Sequence, residues 1–219
     1  MKNIIIFGSG DHAQVIFWEL IEYKKYKIIG FFDETKKEKT IVKYKNKNYK
    51  SFNSFNKINN ITKLYGIIGA GTSQIRKKIF LIINKKNLKI KWEKFISKYS
   101  VVKKNVKLGN GCMILSGAHI NSSTVIGNHV LINSNCNIEH DNIIEDFATI
   151  SPSVITAGKV KIGYSANIGM GTKIINNVKI EENVIVGAGS LVIKNLKSNH
   201  LYFGSPAKKI RKIKKDDKF

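Results

Sequence analysis

The sequence has almost no arginine. Its 38 basic residues are lysines except for Arg76 and Arg211. Arginine is the side chain expected where base edges are read. The formal charge of +23 therefore argues poorly for a nucleic-acid partner. Lys, Asn and Ile are abundant along the whole chain, which reads as compositional bias rather than a binding face. A modestly basic surface still favours anionic ligands. Cysteine is equally scarce, with two residues, and no disulfide framework is expected. No apolar run approaches the length of a membrane span, so none is expected. The start, MKNIIIFGSG, leads into a glycine turn rather than a cleavage site, and a cytoplasmic protein is the expectation. At 219 residues there is core for one or two domains.

What is abundant is a period of six. Counting from Ile96, every sixth residue to Val192 is aliphatic except Thr156: Val102, Leu108, Ile114, Ile120, Ile126, Ile132, Ile138, Ile144, Ile150, then Ile162 onward. Four residues after most of them sits a slender residue, such as Cys112, Ala118, Thr124, Val130, Cys136, Ala148 and Ala166. Six is neither the helix period nor the strand period. It predicts a hexapeptide β-helix, in which short parallel strands stack in coils. The fourth residue of many hexads is Gly or Asn, as at Gly111, Gly117, Asn135, Gly171, Asn177, Asn183 and Gly189. These tolerate the left-handed backbone of a sharp corner. Three hexads make one coil, giving about five to six coils and a prism roughly 25 Å tall. The pattern leaves handedness open, and the general crossover rule favours right-handed connections. Both cysteines fall in inward slots and are expected as buried thiols.

Before the repeat, Asn3–Phe7 reads as a strand, Gly8-Ser9-Gly10 as a turn, Ala13–Tyr23 as a helix with Val15, Ile16, Trp18 and Leu20 on its apolar stripe, and KIIGFFDE as a second strand. That is one βαβ unit. Its turn places backbone N–H groups and a helix N-terminus beside an anion. Asp33 and Glu34 follow about twenty residues on, where a ribose hydroxyl can be held. A further strand at Leu64–Ile68 ends in Gly69-Ala70-Gly71, and a helix runs from about Ser73 to Asn84. Residues 38–62 read as edge strands and loops. Some 90 residues leave room for one nucleotide half of a Rossmann fold, so one nucleotide is expected there and not NAD. Arg76 and Lys77 read equally as ligand groups or as a solvated helix face. Trp92 and Phe95 are expected at the join between domains. Pro206 suits the start of a short helix, and the charged tail beyond it should fray.

Three features meet in order: the GSGDHA turn, an unbroken repeat containing Ile138-Glu139-His140-Asp141, and a closing GSPAKKI. Together they resemble the hexapeptide-repeat acetyltransferases of the sialic-acid O-acetyltransferase-like family, most of all the nucleotide-linked 4-amino-sugar N-acetyltransferases of the bacillosamine type. The resemblance implies an α/β N-terminal Rossmann-like half domain (1–90) that binds the nucleotide sugar. It implies a left-handed parallel β-helix (91–199) that carries acyl transfer, and a short C-terminal segment with a basic tail (200–219). It implies a homotrimer with sites between subunits, acetyl-CoA as co-substrate, no metal, and N-acetylation of an amino sugar for surface glycan synthesis, O-antigen included. O-acetylation of a sugar hydroxyl is the alternative, and a non-catalytic basic binding protein the third reading.

The same resemblance assigns residues. His140 is the general base and Asp141 orients it. Gly10, His12, Asp33, Glu34, Gly69 and Asn133 bind the acceptor. Thr149, Gly158, Ala188, Gly204, Pro206, Ala207 and Lys208 bind acetyl-CoA. Three positions depart from the family pattern: Asp141 where Glu is usual, Thr149 where a relative carries His, and Thr35 where bacillosamine-type members carry Lys. Apart from the family, His140 is an outward corner residue like His119 or His129. Asn142 breaks the slender-residue rule two positions later, and Thr156 breaks the aliphatic column one coil on. Such lapses tend to mark functional places.

Overall fold

The computed structural model describes residues 1–57, 63–86, 88–214 and 217. It falls into two compact units, Met1–Gly71 with Ile75–Glu93, and Thr72–Gln74 with Lys94–Phe219. The elements of the first are β1 (Lys2–Phe7), α1 (Asp11–Ile21), β2 (Tyr26–Phe32), β3 (Thr40–Tyr44), β4 (Lys47–Phe52), β5 (Leu64–Ile68), α2 (Ser73–Lys85) and β6 (Lys91–Trp92). The sheet order is β3-β4-β2-β1-β5-β6. All pairs are parallel except the β3–β4 hairpin, which turns through Lys45 and Asn46 at positive φ. Ile4, Ile5, Ile6 and Phe7 of the central strand are wholly buried, as a strand covered on both faces requires.

The α1 stripe differs from the expected one. The buried residues are Ala13, Ile16, Phe17 and Leu20, the i, i+3, i+4, i+7 set of a helix face. Val15 and Trp18 are about half exposed, and Phe17, which the sequence reading passed over, packs against the rings of Phe31 and Tyr49. Trp92 belongs to the first unit, packed on Phe7 and Phe80. Phe95 belongs to the second and is fully buried. Residues 58–62, within the expected edge region, lie outside the described residues, as does part of the tail.

The second unit is a parallel β-helix whose fold class is the left-handed one expected. Each hexad contributes a two-residue strand ending on the aliphatic position, and strands eighteen residues apart pair. The first face carries Phe95–Ile96, Met113–Ile114, Leu131–Ile132, Thr149–Ile150, Asn167–Ile168 and Ile185–Val186. The second carries Val101–Val102, His119–Ile120, Asn137–Ile138, Ile155–Thr156, Lys173–Ile174 and Leu191–Val192. The third carries Lys107–Leu108, Val125–Ile126, Ile143–Ile144, Lys161–Ile162 and Lys179–Ile180. From Gly111 to Gly189 every fourth hexad residue has positive φ, including Asp141 at 57° and Phe147 at 60°. The corner therefore demands this backbone even of residues that resist it. Cys112 and Cys136 are buried free thiols, and burial pushes them up to about 12 and about 11.

The repeat ends where its spacing fails. Leu196, not residue 198, bridges Ile180. His200–Phe203 then adds a parallel strand beside Ile185–Val186, and Lys208–Lys212 folds back on it antiparallel. The helix expected from Pro206 does not form. Residues 204–207 make the turn of this hairpin, where a residue without an N–H leaves no ladder bond unmade. Among the described residues no helix is long and apolar enough to cross a membrane.

Candidate active site

In the first unit, Phe7 pairs with both Phe32 and Ile68. The three central strands thus end level, and the segments after them leave the sheet at one edge, where ligands bind in such sheets. Gly8 has φ +106°, and a Cβ on it would stand 3.3 Å from the Gly69 carbonyl oxygen. A Cβ on Gly69 would stand 2.7 Å from Ala13 Cα, so the first turn of α1 rests on this loop. Gly10 caps α1 in an extended conformation, with no side chain bonded to the cap, which suits an anion at the helix start.

Asp33 follows β2. Burial works to raise its pKa, but hydrogen bonds outweigh it and hold the carboxyl below its usual range. Ser9 Oγ donates at 2.6 Å, and Thr35 donates through Oγ1 at 2.7 Å and its N–H at 3.1 Å. Asp33 is thus a fixed acceptor. Glu34 is exposed and paired with Lys86. His12 faces Gly71, and its Nε2 is enclosed with no hydrogen-bond partner. Burial first, and the Arg76 guanidinium second, push its pKa down to about 4, so the ring is neutral near pH 7. Arg76 is not on a solvated face. It is fully buried, with Nη1 donating to the carbonyls of Ala70 at 3.1 Å and Gly71 at 2.9 Å. Of the two expectations left open for Arg76 the solvated face is excluded, and Ser9 is the residue that the sequence does not point to. The rarity of arginine was a signal for Arg76.

In the second unit, His140 and Asp141 form an exposed corner between the second and third faces. His140 Nδ1 lies 2.8 Å from Asp141 Oδ2. A carboxylate only accepts, so Nδ1 carries the proton and Nε2 of the neutral ring is left with a free lone pair. Gly158 sits one coil above. A Cβ there would stand 2.5 Å from His140 Cε1 and 2.7 Å from Nε2, so the missing side chain makes room for the ring. The peptide N–H of Asp141 donates to Ser122 O below, and that of Lys159 to His140 O, which ties the corner to the coils on either side.

The other assigned residues fall in two places. Asn133 and Thr149 lie along the first face, with Asn133 accepting the Ser134 N–H at 2.9 Å. Thr149 is buried. One chain thus places these two on a different face from His140. Ala188 is exposed beside Gly187, on which the Phe203 ring packs. Gly204 donates to Ser190 Oγ at 3.2 Å, and Ala207 N–H to Leu191 O at 2.7 Å. Ala188, Gly204 and Ala207 therefore gather at the C-terminal end, with Pro206 and Lys208 exposed on the same hairpin. Among the described residues no group of three His, Cys, Asp or Glu side chains could hold a metal.

A Rossmann-like sheet followed by a hexapeptide β-helix is also the fold of several solved acetyltransferases. Residues 3–83 match the family model of the PglD N-terminal domain. The acetyltransferase domain of PglB from Neisseria gonorrhoeae FA1090 aligns with a TM-score of 0.85 at 20% identity, covering 96% of this chain and 100% of that one. The same domain in complex with acetyl coenzyme A aligns at 0.84 and 21%, covering 95% and 99%. PerB from Caulobacter crescentus, in complex with CoA and GDP-perosamine, aligns at 0.82 and 24%, covering 96% and 98%. At these identities the likeness establishes the fold. No curated protein matches.

Proposed function

We propose that this protein is an acetyl-CoA-dependent N-acetyltransferase acting on an amino sugar carried by a nucleoside diphosphate, the sugar being of the 4-amino-4,6-dideoxy class. The observation that carries the reading is the His140 corner. An imidazole whose Nδ1 is held by Asp141 at 2.8 Å offers Nε2 as a proton acceptor over a glycine that leaves it room. An amine attacking a thioester carbonyl must shed a proton, and an imidazole nitrogen with a free lone pair is suited to take it. The nitrogen–carbon bond that forms replaces the carbon–sulfur bond that breaks. The proton taken by His140 returns to the departing thiolate.

The level strand ends of the first unit, with Asp33 as a fixed acceptor and neutral His12 beside the glycine loops, are assigned the nucleotide. Gly10 at the start of α1, Glu34 and Gly69 belong to the same assignment. Gly158, Ala188 and the Gly204–Lys208 hairpin are assigned acetyl-CoA. Asn133 and Thr149 stand on another face of the same prism from His140. Assembly as a homotrimer, with each site lined by two copies, is part of the proposal because it would let one copy's first face meet another's corner. The relatives whose structures hold CoA with GDP-perosamine support an N-acetyl rather than an O-acetyl product. A cytoplasmic location fits nucleotide-sugar chemistry and completes the reading.

The test is His140→Ala. Turnover should fall by about two or more orders of magnitude, while both substrates still bind by calorimetry. Unchanged turnover rejects the assignment. A panel of UDP-, dTDP- and GDP-linked 4-amino sugars beside free sialic acid decides the acceptor, and turnover of sialic acid alone would move the protein to the O-acetylating class.

A further inference from the structure

The interior of the β-helix is apolar almost throughout, and three of its polar exceptions, Thr124, Asn142 and Thr156, meet at the residue before His140. Asn142 occupies an inward slot that Val160 and Val178 fill in the next two coils, and it is 1% exposed. Its Nδ2 donates to Glu139 O at 2.5 Å and to Ala157 O at 3.1 Å, and its Oδ1 accepts the Val160 N–H at 2.9 Å. The amide thus links the peptide before His140 to the strand end before Gly158, the residue against which the ring lies. Thr156, the lapse in the aliphatic column, is wholly buried above Ile138. Its Oγ1 accepts the Glu139 N–H at 3.3 Å. Thr124, one coil below Asn142, donates to Glu139 O at 3.0 Å.

Thr124 alone means little. Thr172 and Cys136 make the same bond, to a carbonyl fifteen residues on, elsewhere in the prism. Asn142 and Thr156 are different. They put polar atoms where aliphatic ones would pack, and they hold the two backbone groups of one residue, Asn142 the Glu139 carbonyl and Thr156 the Glu139 N–H. A buried amide or hydroxyl brings no packing gain over an aliphatic side chain, and its worth lies in the backbone groups that it satisfies. Their placement is explained by what they hold. A reacting group displaced by about 1 Å can lose on the order of 100-fold in rate.

We propose that Asn142, assisted by Thr156, is a positioning residue that fixes the Glu139–His140 corner and so the direction of the His140 Nε2 lone pair over Gly158. This rests on His140 being the base. The experiment compares Asn142→Val, Thr156→Val, His140→Ala and the double variant His140→Ala/Asn142→Val, with Val178→Ala as a control that loosens the prism away from the corner. Asn142→Val should lower kcat by about 10- to 50-fold with each KM changed less than about threefold, and Thr156→Val by about 3- to 10-fold. Both lose buried hydrogen bonds and should unfold at a lower temperature, and Val178→Ala, which also loosens the prism, should keep its kcat.

In the double variant, Asn142→Val should cost nothing beyond His140→Ala, because a group that acts through the ring has no effect without it. Wild-type kcat in folded Asn142→Val, or a further loss in the double variant, overturns the proposal. If Asn142→Val does not fold, Thr156→Val carries the same test, and a wild-type kcat there overturns it. Normal turnover in His140→Ala is a separate result that removes the base assignment itself.

Discussion

In the first unit the imidazole of His12 is enclosed, faces a glycine loop, and shares its surroundings with the buried guanidinium of Arg76. In the second, the imidazole of His140 stands on an exposed corner, bonded to a carboxylate one residue away. The contrast separates two uses of one side chain. Burial beside a cation keeps His12 neutral, fit for a hydrogen bond with a ligand and unfit to exchange protons near pH 7. Exposure, with Nδ1 bonded to Asp141, leaves the His140 ring open to a substrate.

The largest effect that would break this contrast is at Gly158. Gly158→Ala puts a Cβ within 2.7 Å of His140 Nε2, so the ring must move, and kcat should fall about 100-fold. Steady-state kinetics with acetyl-CoA and the best nucleotide sugar check this, and a loss under threefold would mean that the ring is not held against that coil. Next is Asp141→Asn. Asparagine tolerates the positive φ of 57° at this corner but cannot hold the ring as a carboxylate does. Turnover should fall about 10-fold with the unfolding midpoint unchanged, and a large drop in that midpoint would recast Asp141 as a structural corner.

The third prediction concerns pH and the first unit. The folded-state pKa of His12 lies near 4, below its unfolded value of about 6.5. Between these values the unfolded chain binds the extra proton, so His12 adds stability that is complete above pH 6.5 and lost as pH falls toward 4, about 3 kcal/mol at most. Urea unfolding of wild type and His12→Gln at pH 7 and pH 4.5 tests it. The wild type should lose more on acidification, and equal losses would place His12 in open water. The smallest effect is at the thiols. Cys112 and Cys136 are buried with raised pKa values, so a thiol reagent should leave both unlabelled at pH 8 until urea unfolds the chain. Prompt labelling of either would open the prism that the second unit is built on.

The second unit was far more legible than the first. A six-residue rule repeated seventeen times leaves one consistent phase, and Ile114, Ile132 and Ile150 could only stack. The corner glycines and asparagines announced positive φ, and the structure extends it to Phe147 and Lys159, which no propensity favours. Pro206 was misread because its local preference for a helix start yielded to pairing between His200–Phe203 and Lys208–Lys212. On α1, Val15 and Trp18 looked like core because both are apolar. Packing chose Phe17 instead, since only its angle on the helix meets Phe31 and Tyr49. Arg76 was undecidable from sequence because its burial depends on where α2 lies against the Gly69–Gly71 loop.

The hexad frame, the βαβ start and the position of His140 on a corner were all legible in one dimension, because each follows from spacing along the chain. Tertiary structure decided the rest. It set which coil lies over the imidazole and left Gly158 bare where the ring meets that coil. It also gathered Thr156 and Asn142, fourteen positions apart, on the backbone of the one residue Glu139. These depend on stacking at eighteen residues, and contacts made across coils have no trace in local preference.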